Sequence, residues 1–373
     1  MTRSSNNHSR GAGTGAGIGT SAARDEAAVL SVSAHLTDRD RELTRLVGRH
    51  RVLTTDQLAA LRFSNLTTAR HRLAVLVRLG VLRRFRPRRE PGSAPWHYVL
   101  GPVGAAMLGQ EDRDEKKWLP QVRADRQLAL ERSQRLGHMT GASWFFVALA
   151  RHARQNGGEL TEWLNEAETM TSFNHLTGWA DIRSSFPHPD GAGTWAQDRR
   201  QVRFLLEYDT GSEHLPALTA KLDGYQALAE AAATRTNQAC PVVLFCFTSP
   251  RREQTARRAF ATAREAPALR IATTALDPRT TSPAGPVWLP LLTRTGIQVP
   301  LIDVDDAIPD PWHAYRQEQA RKRREVAERD RKYRDYPDDD EDPIPEGPAP
   351  HASGEDSRRY GGPGYWAPGR TAS

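Results

Sequence analysis

Phe204-Leu-Leu-Glu-Tyr-Asp-Thr-Gly-Ser-Glu-His214, running on to Lys221 and Tyr225, is the stretch on which the fold turns. Phe204, Leu205 and Leu206 read as a short buried strand ending in two carboxylates, Glu207 and Asp209. Alternate residues of a strand share a face, so both acids are expected to project together. Thr210, Gly211 and Ser212 break the strand, and Leu215, Leu218, Leu222 and Tyr225 then recur at helical spacing. Lys221 lies within that helix. Paired carboxylates at a strand end, with a lysine near by, are the ingredients of a divalent-metal and phosphate site.

Downstream, residues 241–247 are apolar on both faces and read as a central strand, followed by an amphipathic helix at 251–264 and a strand at 269–276. Trp288-Leu-Pro-Leu-Leu292 is expected to close the folded part. Upstream, residues 138–154 read as an apolar helix ended by Asn156-Gly157-Gly158. Strands are expected at 159–166, 179–186 and 201–208, with Pro187, Pro189, Gly191 and Gly193 forming a turn before the last. The order helix, three strands, helix, strand, helix, strand implies a mixed α/β (α+β) sheet with helices on its faces.

The front of the chain has another pattern. Thr37 caps a first helix with Leu43, Leu46 and Val47 inward, and Thr54 caps a second through Leu61. Ser64 is expected to cap a third, with Ala69, Leu73, Leu76 and Val77 on one face and Thr67, Arg70, His71, Ala74 and Arg78 on the other; Gly80 ends it. Residues 81–86 and 96–100 flank a turn containing Pro87, Pro91, Gly92 and Pro95. Three helices and a basic hairpin are the order of a winged helix-turn-helix, whose third helix enters the major groove. Thr67, Arg70, His71 and Arg78 are the candidates for groove contacts, and Arg84, Arg86, Arg88 and Arg89 for phosphate contacts.

Charge agrees with that placement. The net charge is +7, yet Leu36 to Leu100 alone holds fourteen arginines against five acids. A surplus confined to one segment implies a polyanionic partner there, here double-stranded DNA. The chain has no apolar run long enough to span a membrane and no secretion signal, which implies a cytoplasmic protein with no membrane partner. Its two cysteines, Cys240 and Cys246, fall in an apolar run and read as buried thiols. Neither a phosphate-binding glycine loop nor paired zinc-spaced histidines occur, so ATPase and zinc chemistry lack a motif.

The winged-helix pattern, His138 opening a helix, Trp163 and Glu166, Ala180-Asp181, the Leu206-Glu-Tyr-Asp-Thr-Gly-Ser-Glu213 block and Lys221-Leu-Asp-Gly-Tyr225 together resemble the replication-relaxation family of actinobacterial plasmids and integrative elements. The resemblance runs from about Leu36 to Ile302 and implies a role in plasmid replication and DNA relaxation, beside other replication or transfer (conjugation) proteins. The strand order is also similar to the restriction-endonuclease-like PD-(D/E)xK fold. That similarity implies Asp181 as the first acid, Glu207 as the second, a Mg²⁺ ion held by Asp181, Glu207 and Asp209, and Lys221 standing in for the motif lysine, whose place is taken by Asp209.

The resulting division is a disordered leader (1–35), a winged helix (36–110), a charged helical connector (111–136), a nuclease-like domain (137–305) and a charged disordered tail (306–373). Three functions remain open on these residues. The first is a DNA-binding accessory protein for plasmid replication and relaxation. The second is a Mg²⁺-dependent nicking endonuclease using Asp181, Glu207, Asp209 and Lys221. The third is a winged-helix transcriptional regulator.

Overall fold

The computed structural model describes residues 29–32, 34–87, 94–115, 128–178, 186–264, 268–292 and 296–334. Capping sets the first helices. α1 (Asp38–His50) begins at Thr37, whose hydroxyl accepts from Asp40 N while the Asp40 carboxylate accepts from Thr37 N. A short β1 (Leu53–Thr54) leads into α2 (Thr55–Arg62), where Thr54 and Gln57 repeat that reciprocal cap. α3 (Leu66–Arg78) is capped by Asn65, not Ser64: Asn65 Oδ1 accepts from Thr68 N at 2.8 Å. A backbone amide two or three residues past the cap is the reachable donor, and from Asn65 that is Thr68. Ala69, Leu73 and Leu76 are buried, and Gly80 takes φ +70° just after the helix.

β2 (Leu82–Phe85) and β3 (His97–Leu100) pair antiparallel from Leu82↔Leu100 to Phe85↔His97, and β1 joins the other side of β3 to give the order β1-β3-β2. α4 (Pro102–Glu115) follows.

The second sheet has the order β4-β5-β6-β7-β8-β9: β4 (Glu159–Asn165), β5 (Gly191–Gln197), β6 (Arg200–Asp209), β7 (Val242–Phe247), β8 (Ile271–Ala275) and β9 (Leu289–Pro290). β4, β5 and β6 run antiparallel, β6, β7 and β8 parallel, and β9 antiparallel again, so the sheet is mixed and the fold α+β. One face packs on α5 (Leu136–Asn156) through Phe145, Phe146, Leu149, Phe204 and Leu206. The other carries α6 (Glu166–Thr177), α7 (Leu215–Ala231) and α8 (Pro250–Thr262), with Phe173, Leu222, Tyr225, Phe245 and Phe260 between. β7 is buried along its whole length, as a strand covered on both faces must be.

The strand expected at 179–186 falls outside the described residues except for Phe186, and the stretch read as a turn supplies β5. The glycines there serve close approach: a Cβ on Gly193 would lie 2.5 Å from the Phe204 ring, so only glycine lets two strands and α5 pack this tightly. The folded part also continues past Leu292, with Leu301, Ile302, Val304 and Ile308 buried around α9 (Val304–Ala307). Residues 29–32 are helical with Val29 buried, ahead of the expected start of order at Leu36. Within the stretch expected to be a disordered tail (306–373), residues 306–312 complete α9 and continue with Ile308 buried, His313–Arg334 forms the helix α10, and residues 335–373 lie outside the described residues. Both cysteines are free.

The chain divides into two units, Met1–Lys322 and Arg323–Ser373. Within the first, the front helices and the larger sheet share a core: Val147 of α5 is buried among Leu43, Leu58 and Leu76, with Trp144 and Trp163 packed against it. His50 stacks on Trp163 at 3.7 Å between ring centroids, Arg49 Nε bonds Glu168 at 2.7 Å, and Arg154 bonds the last carbonyls of α2, Leu61 O at 2.8 Å and Ala60 O. Among the described residues no helix is long and apolar enough to cross a membrane.

Candidate functional site

The end of β6 is where this sheet can gather polar groups, because a parallel neighbour lies on one side and an antiparallel neighbour on the other. Glu207 and Asp209 do share a face, the one covered by α7 and α8, and both are buried. Each meets a different cation. Lys221 of α7 places Nζ 2.9 Å from Glu207 Oε2 and 2.9 Å from Glu213 Oε2, so the helical lysine does return to the strand. Tyr225, one helical turn on, donates its hydroxyl to Glu207 Oε1 at 2.5 Å. Asp209 instead accepts from Arg252 of α8, with Nη2 at 2.9 Å and Nε at 3.2 Å, and from Gly211 N. The same Arg252 bonds Glu213 O at 2.5 Å. Asp209 therefore anchors the loop after β6 and stands apart from Glu207's partners.

A third acid enters from β5. Asp190 precedes Gly191, which pairs with Leu206, so it lies across from Glu207. Its backbone donates to Leu206 O, and its Oδ2 accepts from Tyr208 N at 2.8 Å. Its Oδ1 lies 2.5 Å from His138 Nε2 on the first turn of α5. Asp181, the acid expected in this role, lies outside the described residues. A signal for Asp190 was present in the sequence: Pro189-Asp190 is the proline-acid pair immediately before a strand.

Electrostatics tie the cluster together. Burial pushes the Glu207 carboxyl up to about 7, with Lys221 pulling it down and Asp190 adding to the rise. Burial works against the Lys221 ammonium, but Glu207 and Glu213 outweigh it and raise the lysine above its ordinary value. His138 is likewise opposed by burial and lifted overall by the Asp190 hydrogen bond and charge. Tyr225 is held well above its ordinary range by burial and by the neighbouring Glu207. Each carboxylate oxygen of Glu207 and Asp190 thus has a protein donor. Among the described residues no group of three or more His, Cys, Asp or Glu side chains is placed to hold a metal ion. An ion on Asp190 and Glu207 would complete its shell with water and phosphate, a mode that Mg²⁺ uses.

On the front of the molecule, Thr67, Arg70, His71 and Arg78 of α3 are exposed. Arg70, His71 and Arg78 make no ion pair or side-chain hydrogen bond among the described residues. The intervening Arg72 turns inward instead, its Nε 2.9 Å from Asp40 Oδ1. Arg84 and Arg86 are exposed, and each guanidinium lies 4.2 Å from the ring centre of Trp96. Arg88 and Arg89 lie outside the described residues. A cleft of about 580 Å³ is bordered by Pro87, His97, Gly137, Thr140, Tyr208 and Thr248. The hairpin root and the end of β6 thus line one cavity. Sequence reasoning missed His138 as a partner of Asp190, Asp190 itself, Arg252 and Trp96; Tyr225, legible from its helical spacing, is both core and hydrogen-bond donor.

A model of the replication-relaxation family matches residues 44–243, from α1 through the Glu207, Lys221 and Tyr225 cluster to the start of β7. No curated protein and no solved structure matches the chain.

Proposed function

The chain belongs to the replication-relaxation family, which carries a role in plasmid replication and relaxation, and we propose that it fills that role by docking on duplex DNA through α3 and the β2–β3 hairpin as a winged helix. The observation that carries this is the outward face of α3: Arg70, His71 and Arg78 stand exposed without counter-ions among the described residues, while Arg72, on the same helix, is neutralised by Asp40. Uncompensated cations on a helix followed by an arginine-bearing hairpin match a polyanion's demands. In this reading the partners are double-stranded DNA and the replication or transfer proteins assembled on it, in the cytoplasm. Titration of labelled duplex at several salt concentrations tests it. Affinity should fall steeply with salt, and Arg70→Ala with Arg78→Ala should lower the slope by about 2. A salt-independent affinity would reject it.

A second reading, metal-dependent nicking, is favoured by Pro189-Asp190 lying across from Glu207 with Lys221 upon it. Asp190 and Glu207 would hold a Mg²⁺, which would polarise a phosphodiester, while Lys221 supplies positive charge beside it. Asp209, engaged by Arg252, takes no part. Supercoiled plasmid incubated with and without Mg²⁺ separates the two readings. Nicking lost in Glu207→Gln establishes the enzyme, and binding without nicking leaves the docking role alone.

A further inference from the structure

Trp96 lies just before β3, opposite Arg86 in the hairpin register, with Arg84 two residues back on the same face of β2. Both guanidiniums are 4.2 Å from its ring centre. Its backbone is fixed from below: the Trp96 carbonyl accepts from Thr55 N at 2.9 Å, at the start of α2. The indole is half-buried and packs against the core that includes Leu53, Leu58 and Tyr98. It is a rigid platform.

Two guanidiniums drawn to one ring repel each other, and neither has a carboxylate partner among the described residues. A stacked guanidinium keeps its N–H groups free in its own plane, the geometry that matches a phosphate. Two long side chains that would otherwise sample many rotamers are here held as a pair. We propose that Trp96 is a positioning residue for DNA docking: it touches no nucleotide, and it holds Arg84 and Arg86 ready to take phosphates of the duplex backbone. This rests on the docking role proposed above and names the groups that the hairpin grips.

The test is a double-mutant cycle on duplex affinity in the full chain. Trp96→Leu keeps apolar bulk and removes the ring face; it should weaken binding roughly fivefold, from about half a kcal/mol for each exposed cation–π contact. Trp96→Phe should restore most of that loss. On an Arg84→Ala, Arg86→Ala background, Trp96→Leu should cost nothing further, since there is nothing left to position. The arginine pair alone should reduce the salt slope by about 2, whereas Trp96→Leu keeps both charges and most of the slope. An equal loss from Trp96→Leu on both backgrounds, or no loss on the native one, overturns the inference while leaving DNA docking intact. Native affinity in the double arginine variant would instead remove the hairpin from the DNA, and the docking role would fail at that point.

Discussion

Glu207 and His138 make the end of β6 sensitive to pH in the same direction. The Glu207 carboxyl moves from an ordinary 4.5 to about 7 on folding, so the folded chain keeps a proton that the unfolded chain has released. Stability from this group is complete below about 4.5 and is lost as pH rises through about 7. His138 is raised above 6.5 by Asp190 against the opposing effect of burial, so its contribution too is complete below 6.5 and disappears as pH climbs through the raised value. Thermal midpoints of the native chain and Glu207→Gln should converge or cross as pH increases, with Gln gaining on the alkaline side; a constant difference across the range would contradict this. The His138 ring signals, followed by NMR, should titrate above the ordinary value and drop back in Asp190→Asn. Arg252→Ala leaves Asp209 buried without its cation and is expected to cost about 3 kcal/mol in denaturant unfolding. At this scale the sequence revealed Glu207, its alternation with Asp209 and the return of Lys221, because those follow from period and local spacing. It concealed Asp190, because that acid's place beside Glu207 depends on which stretch pairs with β6, a contact across sixteen residues that periodicity does not encode.

Among the elements, α3 and β5 show what local chemistry does and does not reveal. α3 was legible through its apolar spacing and its terminal Gly80; only its cap shifted, from Ser64 to Asn65. Asn65→Ala should cost about 1 kcal/mol of stability, read as a lower thermal midpoint, and should weaken duplex binding if α3 docks as proposed, whereas Ser64→Ala should be close to neutral. β5 was hidden because Gly191 and Gly193 carry a turn's composition. Their role is spatial: Gly193 is seated where a methyl group would enter the Phe204 ring. Gly193→Ala should therefore destabilise by about 1–3 kcal/mol, a cost that a turn glycine with open space around it would not show.

For the whole molecule, the charge surplus of the front helices was readable from composition, and so was the mixed sheet behind them. Their union was not. The shared core around Val147, Trp144 and Trp163, the His50–Trp163 stack and the Arg154 bonds to the end of α2 join residues about a hundred apart, each unremarkable in its own segment. Front helices and sheet should accordingly unfold in one cooperative step, so that duplex binding and far-ultraviolet signal are lost at the same denaturant concentration; two separated transitions would show that the joint is weaker than its packing implies. Trp163→Ala should lower stability by about 3–5 kcal/mol and blur that single step.

The Arg154 guanidinium, planted on the closing carbonyls of α2, has a mechanical corollary. α2 packs against α3, so if α3 docks on a duplex as proposed, a twist applied to that duplex would pass through the guanidinium into the long axis of α5, and through the His138–Asp190 contact to the strand ends carrying Asp190 and Glu207. Torsional load on the nucleic acid would be felt by the acids as a displacement and would not be spent in a slack tether.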